Sequence, residues 1–98
     1  MSSIEFFTDF FLNWLTNQLF YNIIFQDLEI DFIAEKDGDR IYYQVSASIL
    51  DENTYTREIT PLKKINDHYP KFIISMDEVP MSEDGIKQIN IIDFLLQN

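Results

Sequence analysis

With no cysteine anywhere in its 98 residues, the chain can form no disulfide, no thiolate metal site and no thiol nucleophile. Glycine is nearly as scarce. Gly38 and Gly85 are the only two, so no Gly-rich loop ending in Gly-Lys-Ser/Thr can cradle a nucleotide phosphate, and ATPase activity is excluded from this polypeptide. Cations are few: seven Lys and Arg stand against seventeen Asp and Glu, for a formal net charge of −10. Such a chain repels phosphate backbones at long range, and nucleic acid is not an expected partner. An acidic surface suits simple solubility, or a basic protein partner. The single histidine, His68 in Asp67-His68-Tyr69-Pro70, reads as structural or solvated near a helix end.

The apolar opening carries no basic residue before Lys36, so it lacks the start of a signal peptide. Asp9, Asn13, Asn17, Gln18 and Asn22 interrupt it too often for a membrane span. The expectation is one soluble, cytoplasmic domain over residues 1–98, large enough for one modest core.

Between Leu28 and about Ile49 the chain has the pattern of a β-hairpin. Glu29-Ile30-Asp31-Phe32-Ile33-Ala34 and Ile41-Tyr42-Tyr43-Gln44-Val45-Ser46 flank Lys36-Asp37-Gly38-Asp39, and Gly38 accepts the positive φ of a type I′ turn. If Asp37-Gly38 is the two-residue loop, Lys36 pairs with Asp39, Asp31 lies in the first strand across from Gln44, and Glu29 lies across from Ser46. A bulge or a longer loop would break that register, and the sequence leaves both open.

From Ile4 to Phe20 the residues Phe7, Phe10, Phe11, Trp14 and Leu15 recur at helical spacing. With Phe6 they offer more apolar surface than a small sheet covers, so a homo-oligomer through Phe7, Phe10, Phe11 and Trp14 is expected. After the hairpin, Asp51 caps a helical stretch. Pro61 is read as opening a second short helix capped by Thr60, with Leu62 and Ile65 turned inward. Lys71-Phe72-Ile73-Ile74-Ser75-Met76 is a buried strand, parallel to the hairpin's second strand because a helical crossover joins them. Asp77 to Lys87 reads as a polar excursion, Ile89-Asn90-Ile91 as a short last strand and Ile92 to Leu96 as a terminal helical turn.

The hairpin has the outline of a divalent-metal nuclease stripped of most of its chemistry. Such a site needs an acid on each of two neighbouring strands to hold magnesium, and a lysine two residues after the second acid to orient water. Here Asp31 supplies the first acid, with Glu29 its only strand neighbour able to join it as a metal ligand. In place of acid-x-Lys stands Gln44-Val45-Ser46. One acid with a neutral amide holds magnesium poorly, and Ser46 has no base near it in sequence. Asp31, Gln44 and Ser46 are therefore vestigial catalytic candidates, and neither metal nor cofactor is expected.

The stretch Glu29 to Ala34, together with Tyr43-Gln44-Val45, Pro61-Leu62, Lys64-Ile65, Tyr69-Pro70-Lys71, Gly85-Ile86-Lys87 and Ile91 to Leu96, resembles the C-terminal domain of unknown function of prokaryotic AAA-superfamily ATPases. That domain is similar to the PD-(D/E)XK, restriction-endonuclease-like fold. The resemblance covers Leu28 to Leu96. Thr16 to Asn22 resembles the family's first helix, but Thr16 stands where a glutamate is usual and the stretch from there to Glu29 is short. An α/β fold is thus implied: an N-terminal helix and a small mixed sheet built from a hairpin, a helical crossover and a parallel strand. The function implied is a non-catalytic, protein-binding relative or remnant of the ATPase-associated domain. The alternative is a weak metal-dependent nuclease that completes its site with a partner chain.

Overall fold

The computed structural model describes residues 22–24 and 30–96. The aromatic stretch Ile4 to Phe20, with Phe7, Phe10, Phe11 and Trp14, and the metal candidate Glu29 lie outside the described residues. Asn22, expected at the end of a first helix, instead opens strand β1 (Asn22–Ile24). The strand is short but present, antiparallel to β2 (Phe32–Lys36).

β2 and β3 (Asp39–Val45) form the expected hairpin. Asp37 and Gly38 have φ of 52° and 87°, so the loop is the two-residue type with both central residues left-handed, and Lys36 pairs with Asp39. Counting outward, Phe32 faces Tyr43, which sets Asp31 across from Gln44. One expectation needs correction. Asp31 lies just before β2 rather than inside it, because its side chain has replaced the main-chain rung: Val45 N–H donates to Asp31 Oδ2 at 2.8 Å.

Helix α1 (Glu52–Lys63) then crosses back to β4 (Lys71–Ser75), which runs parallel to β3. Asp51 caps α1 by accepting the Thr54 N–H at 3.0 Å. Pro61 lies inside this one helix and does not open a second. It sits in the last turn, where the helical bond it removes is that to the Arg57 carbonyl. Gln44 Nε2 also donates to the carbonyl of Glu58, three residues before the proline, at 3.2 Å. The carbonyl that the proline deprives of its helical donor is thus the neighbour of the one Gln44 serves. Ile59 and Leu62 are buried and Ile65 is half-buried.

The polar excursion contains more structure than its composition suggests. β5 (Ser82–Glu83) and β6 (Ile86–Asn90) form a second hairpin over Asp84-Gly85, with φ of 52° and 79°. The last strand therefore begins at Ile86, earlier than expected, because Gly85 ends a turn there. β6 pairs parallel with β4, and the sheet order is β1-β2-β3-β4-β6-β5. Helix α2 (Ile91–Leu96) follows directly, with Asn90 Oδ1 accepting the N–H groups of Ile92 and Asp93.

Alternation along the strands divides the core in two. Phe32, Ala34, Tyr43, Val45 and Ile74 pack with Ile91 and Phe94 of α2. On the opposite face Ile33, Tyr42, Ile73 and Ile86 pack with Ile59 and Leu62 of α1. The result is a small mixed α/β fold with a helix on each face of its sheet. Among the described residues, no helix is long and apolar enough to cross a membrane.

The ends of β3, β4 and β6 meet at Asp77. Its buried carboxylate accepts Ser48 Oγ at 2.7 Å, Ile49 N–H at 2.8 Å and Ser75 Oγ at 2.9 Å. Its carbonyl accepts the side-chain amides of Gln88 and Asn90. Burial pushes the Asp77 pKa up, but these donors outweigh it and hold the group below the usual aspartate value. Asp77→Ala strands three donors at once, so urea unfolding should register a loss of about 3 kcal/mol. An unchanged midpoint would remove Asp77 from its place as the clasp of this end.

Candidate functional site

The register turns the Asp31 and Gln44 side chains to the face that α1 covers. Gln44, 2 % exposed, is held at both ends. Its Oε1 accepts the Asp31 N–H at 2.8 Å, and its Nε2 donates to the Glu58 carbonyl. Together with the Asp31–Val45 bond, this joins the start of β2, the end of β3 and the middle of α1. Ser46 is buried and donates from Oγ to the Ser48 carbonyl at 2.9 Å, which steadies the exit of β3. Asp31 and Gln44 are thus brought together, as the hairpin register implies, while Ser46 does not line the cleft they share, and each of the three takes part in hydrogen bonds that hold the fold.

Between these residues and α1 lies an open cleft of about 490 Å³, with Asp31 and Gln44 on one wall and Arg57, Glu58, Thr60 and Lys64 among those on the other. Glu58 is the residue that sequence reasoning missed. Its Oε2 is buried and has no hydrogen-bond partner among the described residues. Burial first, then the neighbouring Asp31 carboxylate, pushes its pKa up to about 7, while Arg57 opposes the rise. Arg57 Nε stands 3.9 Å from Glu58 Oε1 and is mostly exposed, so it compensates little. Asp31 itself faces solvent along much of its length. Desolvation of its carboxyl still raises its pKa, against the lowering effect of the Val45 N–H.

The cleft therefore holds two carboxyl groups, one amide and two cations at its wall. Two acids on neighbouring elements could in principle share a cation, but a tight oxygen site uses more ligands. Among the described residues, no group of three or more His, Cys, Asp or Glu is arranged to hold a metal. Ser46, two residues past Gln44, stands where such a site needs its lysine, and Lys64 comes to the cleft from the far end of α1. His68 is exposed and stacks on Tyr69 with ring centroids 5.2 Å apart, away from the cleft.

The raised Glu58 has a consequence for stability. Its folded pKa of about 7 exceeds the ordinary 4.5, so between these values the folded chain binds more protons than the unfolded chain, and stability falls as pH rises through the window. Urea unfolding at pH 5 and pH 8 should show Glu58→Gln abolishing on the order of 2 kcal/mol of that decline, and the variant should be the more stable form at pH 8. Identical pH profiles for both forms would return Glu58 to an ordinary, solvated carboxylate.

No family model matches the chain, and no solved structure matches it. The chain is similar to an uncharacterized protein of Haemophilus influenzae, 43 % identical over 70 residues that make up 70 % of this chain and 17 % of the relative. The chain thus spans less than a fifth of the length of the curated relative it matches.

Proposed function

We propose that the chain is a non-catalytic, cytoplasmic protein-interaction module with a degenerate nuclease-like fold, a stand-alone relative or remnant of the domain attached to AAA-superfamily ATPases. One observation carries this reading. The three residues at the nuclease positions are spent on the fold: Asp31 binds the Val45 N–H, Gln44 joins Asp31 to Glu58, and Ser46 binds the Ser48 carbonyl. A residue retained for such bonds needs no substrate to explain it. The match covers a small part of a much longer relative, which fits a chain that corresponds to one piece of a larger protein. Self-association through Phe7, Phe10, Phe11 and Trp14 belongs to the same proposal, as does the lack of affinity for nucleic acid that a charge of −10 implies.

A second reading, a metal-dependent nuclease, is favoured by one feature. Glu58 places a second carboxyl in the same cleft as Asp31, from this chain and not from a partner. Incubation with single- and double-stranded DNA and RNA in magnesium or manganese separates the two. We expect no cleavage, because Gln44 and Ser46 supply neither the charge nor the lysine that water activation requires. Metal-dependent cleavage lost in both Asp31→Ala and Glu58→Ala would establish the second reading in its place.

A further inference from the structure

The seven cations of the chain are unevenly placed. Lys36 and Arg40 flank the β2–β3 turn, Lys71 opens β4 and Lys87 is the second residue of β6. Lys63 and Lys64 end α1, which begins past the carboxyl end of β3 and returns toward the start of β4. Six of the seven thus lie toward the amino ends of the parallel strands β3, β4 and β6, and Arg57 lies midway along α1. Residues 1–21, 25–29 and 97–98 contain no Lys or Arg.

The carboxyl ends of those strands are the reverse. Asp51 and Glu52 follow β3, Glu78 follows β4 and Asp93 follows β6, all exposed. Interleaved with them are large apolar side chains facing water, from Met76 at 52 % exposed through Ile92 and Val79 to Leu50 at 72 %. These segments are neighbours in space. Asp77 binds Ser48 and Ile49, Asn90 binds the carbonyls of Met76 and Asp77, and Asn90 caps Ile92. The surface is therefore apolar, acidic and held in place by the buried clasp.

We propose that the carboxyl end of the parallel strands is a docking surface for a basic amphipathic segment of another protein. The inference rests on the interaction-module reading and names its surface. Charge complementarity selects the occupant: apolar side chains of the partner cover Leu50, Met76, Val79 and Ile92, while its lysines or arginines meet Asp51, Glu52, Glu78 and Asp93. A second copy of this chain, itself at −10, would bring like charge to the same surface.

The test uses the full chain and a fluorescein-labelled peptide of Leu and Lys at helical spacing, followed by anisotropy, beside a peptide with every Leu replaced by Ser. We expect the Leu/Lys peptide to bind and the Ser/Lys peptide to bind at least about tenfold more weakly. Val79→Ser combined with Met76→Ser, and separately Glu78→Lys, should each weaken binding by about fivefold or more, whereas Asp39→Lys, the same charge change at the other end, should alter it less than about twofold. Circular dichroism of each variant confirms that the fold is retained. Equal losses for Glu78→Lys and Asp39→Lys, or equal binding of both peptides, would mean attraction by net charge alone and would overturn the surface. A dimer in sedimentation that Val79→Ser dissociates would overturn it too, in favour of a second copy. Each of these failures leaves the module reading in place, since that reading fails on nucleic-acid cleavage.

Discussion

The geometry of the cleft depends on a two-residue turn. Asp37 and Gly38 both adopt positive φ, which fixes Lys36 opposite Asp39 and, through the ladder, Asp31 opposite Gln44. With β3 held against β4, a slip of one residue in β2 would turn Ile33 away from α1 and bring Phe32 and Ala34 to it, mismatching both halves of the core. With the register fixed, the Asp31 carboxylate meets the Val45 N–H and Gln44 reaches α1. The same bonds occupy the groups that a nuclease would keep for metal and water.

Two polar clusters thus hold the carboxyl ends of the strands, one built on Asp31 and Gln44 and the other on Asp77. At the amino ends a third does similar work. Lys71, nearly buried, donates to Asp67 Oδ1 and to the carbonyls of Asp67 and Tyr69, and the Tyr42 hydroxyl donates to Asp67 Oδ2 at 2.6 Å. Burial pushes Asp67 up, but Lys71 and Tyr42 outweigh it and hold its carboxyl below the usual range. Three of the six cations at that end are held in ion pairs: Lys63 with Glu83, Arg40 with Glu35 and Lys71 with Asp67. The opposite end is left acidic.

Much of this was legible where the chain's local signals agree. An Asp-Gly flanked by apolar, aromatic runs gave the hairpin and its register, and the unbroken run from Phe72 to Ile74 gave the parallel strand. The second Asp-Gly turn was hidden because the strand before it, Ser82-Glu83, is short and polar, and because β6 buries a glutamine: Gln88 donates to Ser75 Oγ and so passes for a surface residue in the sequence. Pro61 misled because propensity alone says nothing of its place in a last turn. Glu58 was illegible for a different reason. Its position depends on how α1 lies across the sheet, a tertiary fact that no neighbour in the sequence reports.

On the interaction-module proposal, Asp31 is kept for the fold. A residue kept for a ligand or a metal is usually neutral or costly to stability, and its removal often stabilises. Urea unfolding of Asp31→Ala, with amide exchange at Val45 followed alongside, tests this directly. We expect a loss on the order of 1 to 3 kcal/mol and faster exchange of the Val45 amide. A variant as stable as the parent or more so, with Val45 still protected, would contradict it and return Asp31 to service as a functional carboxylate.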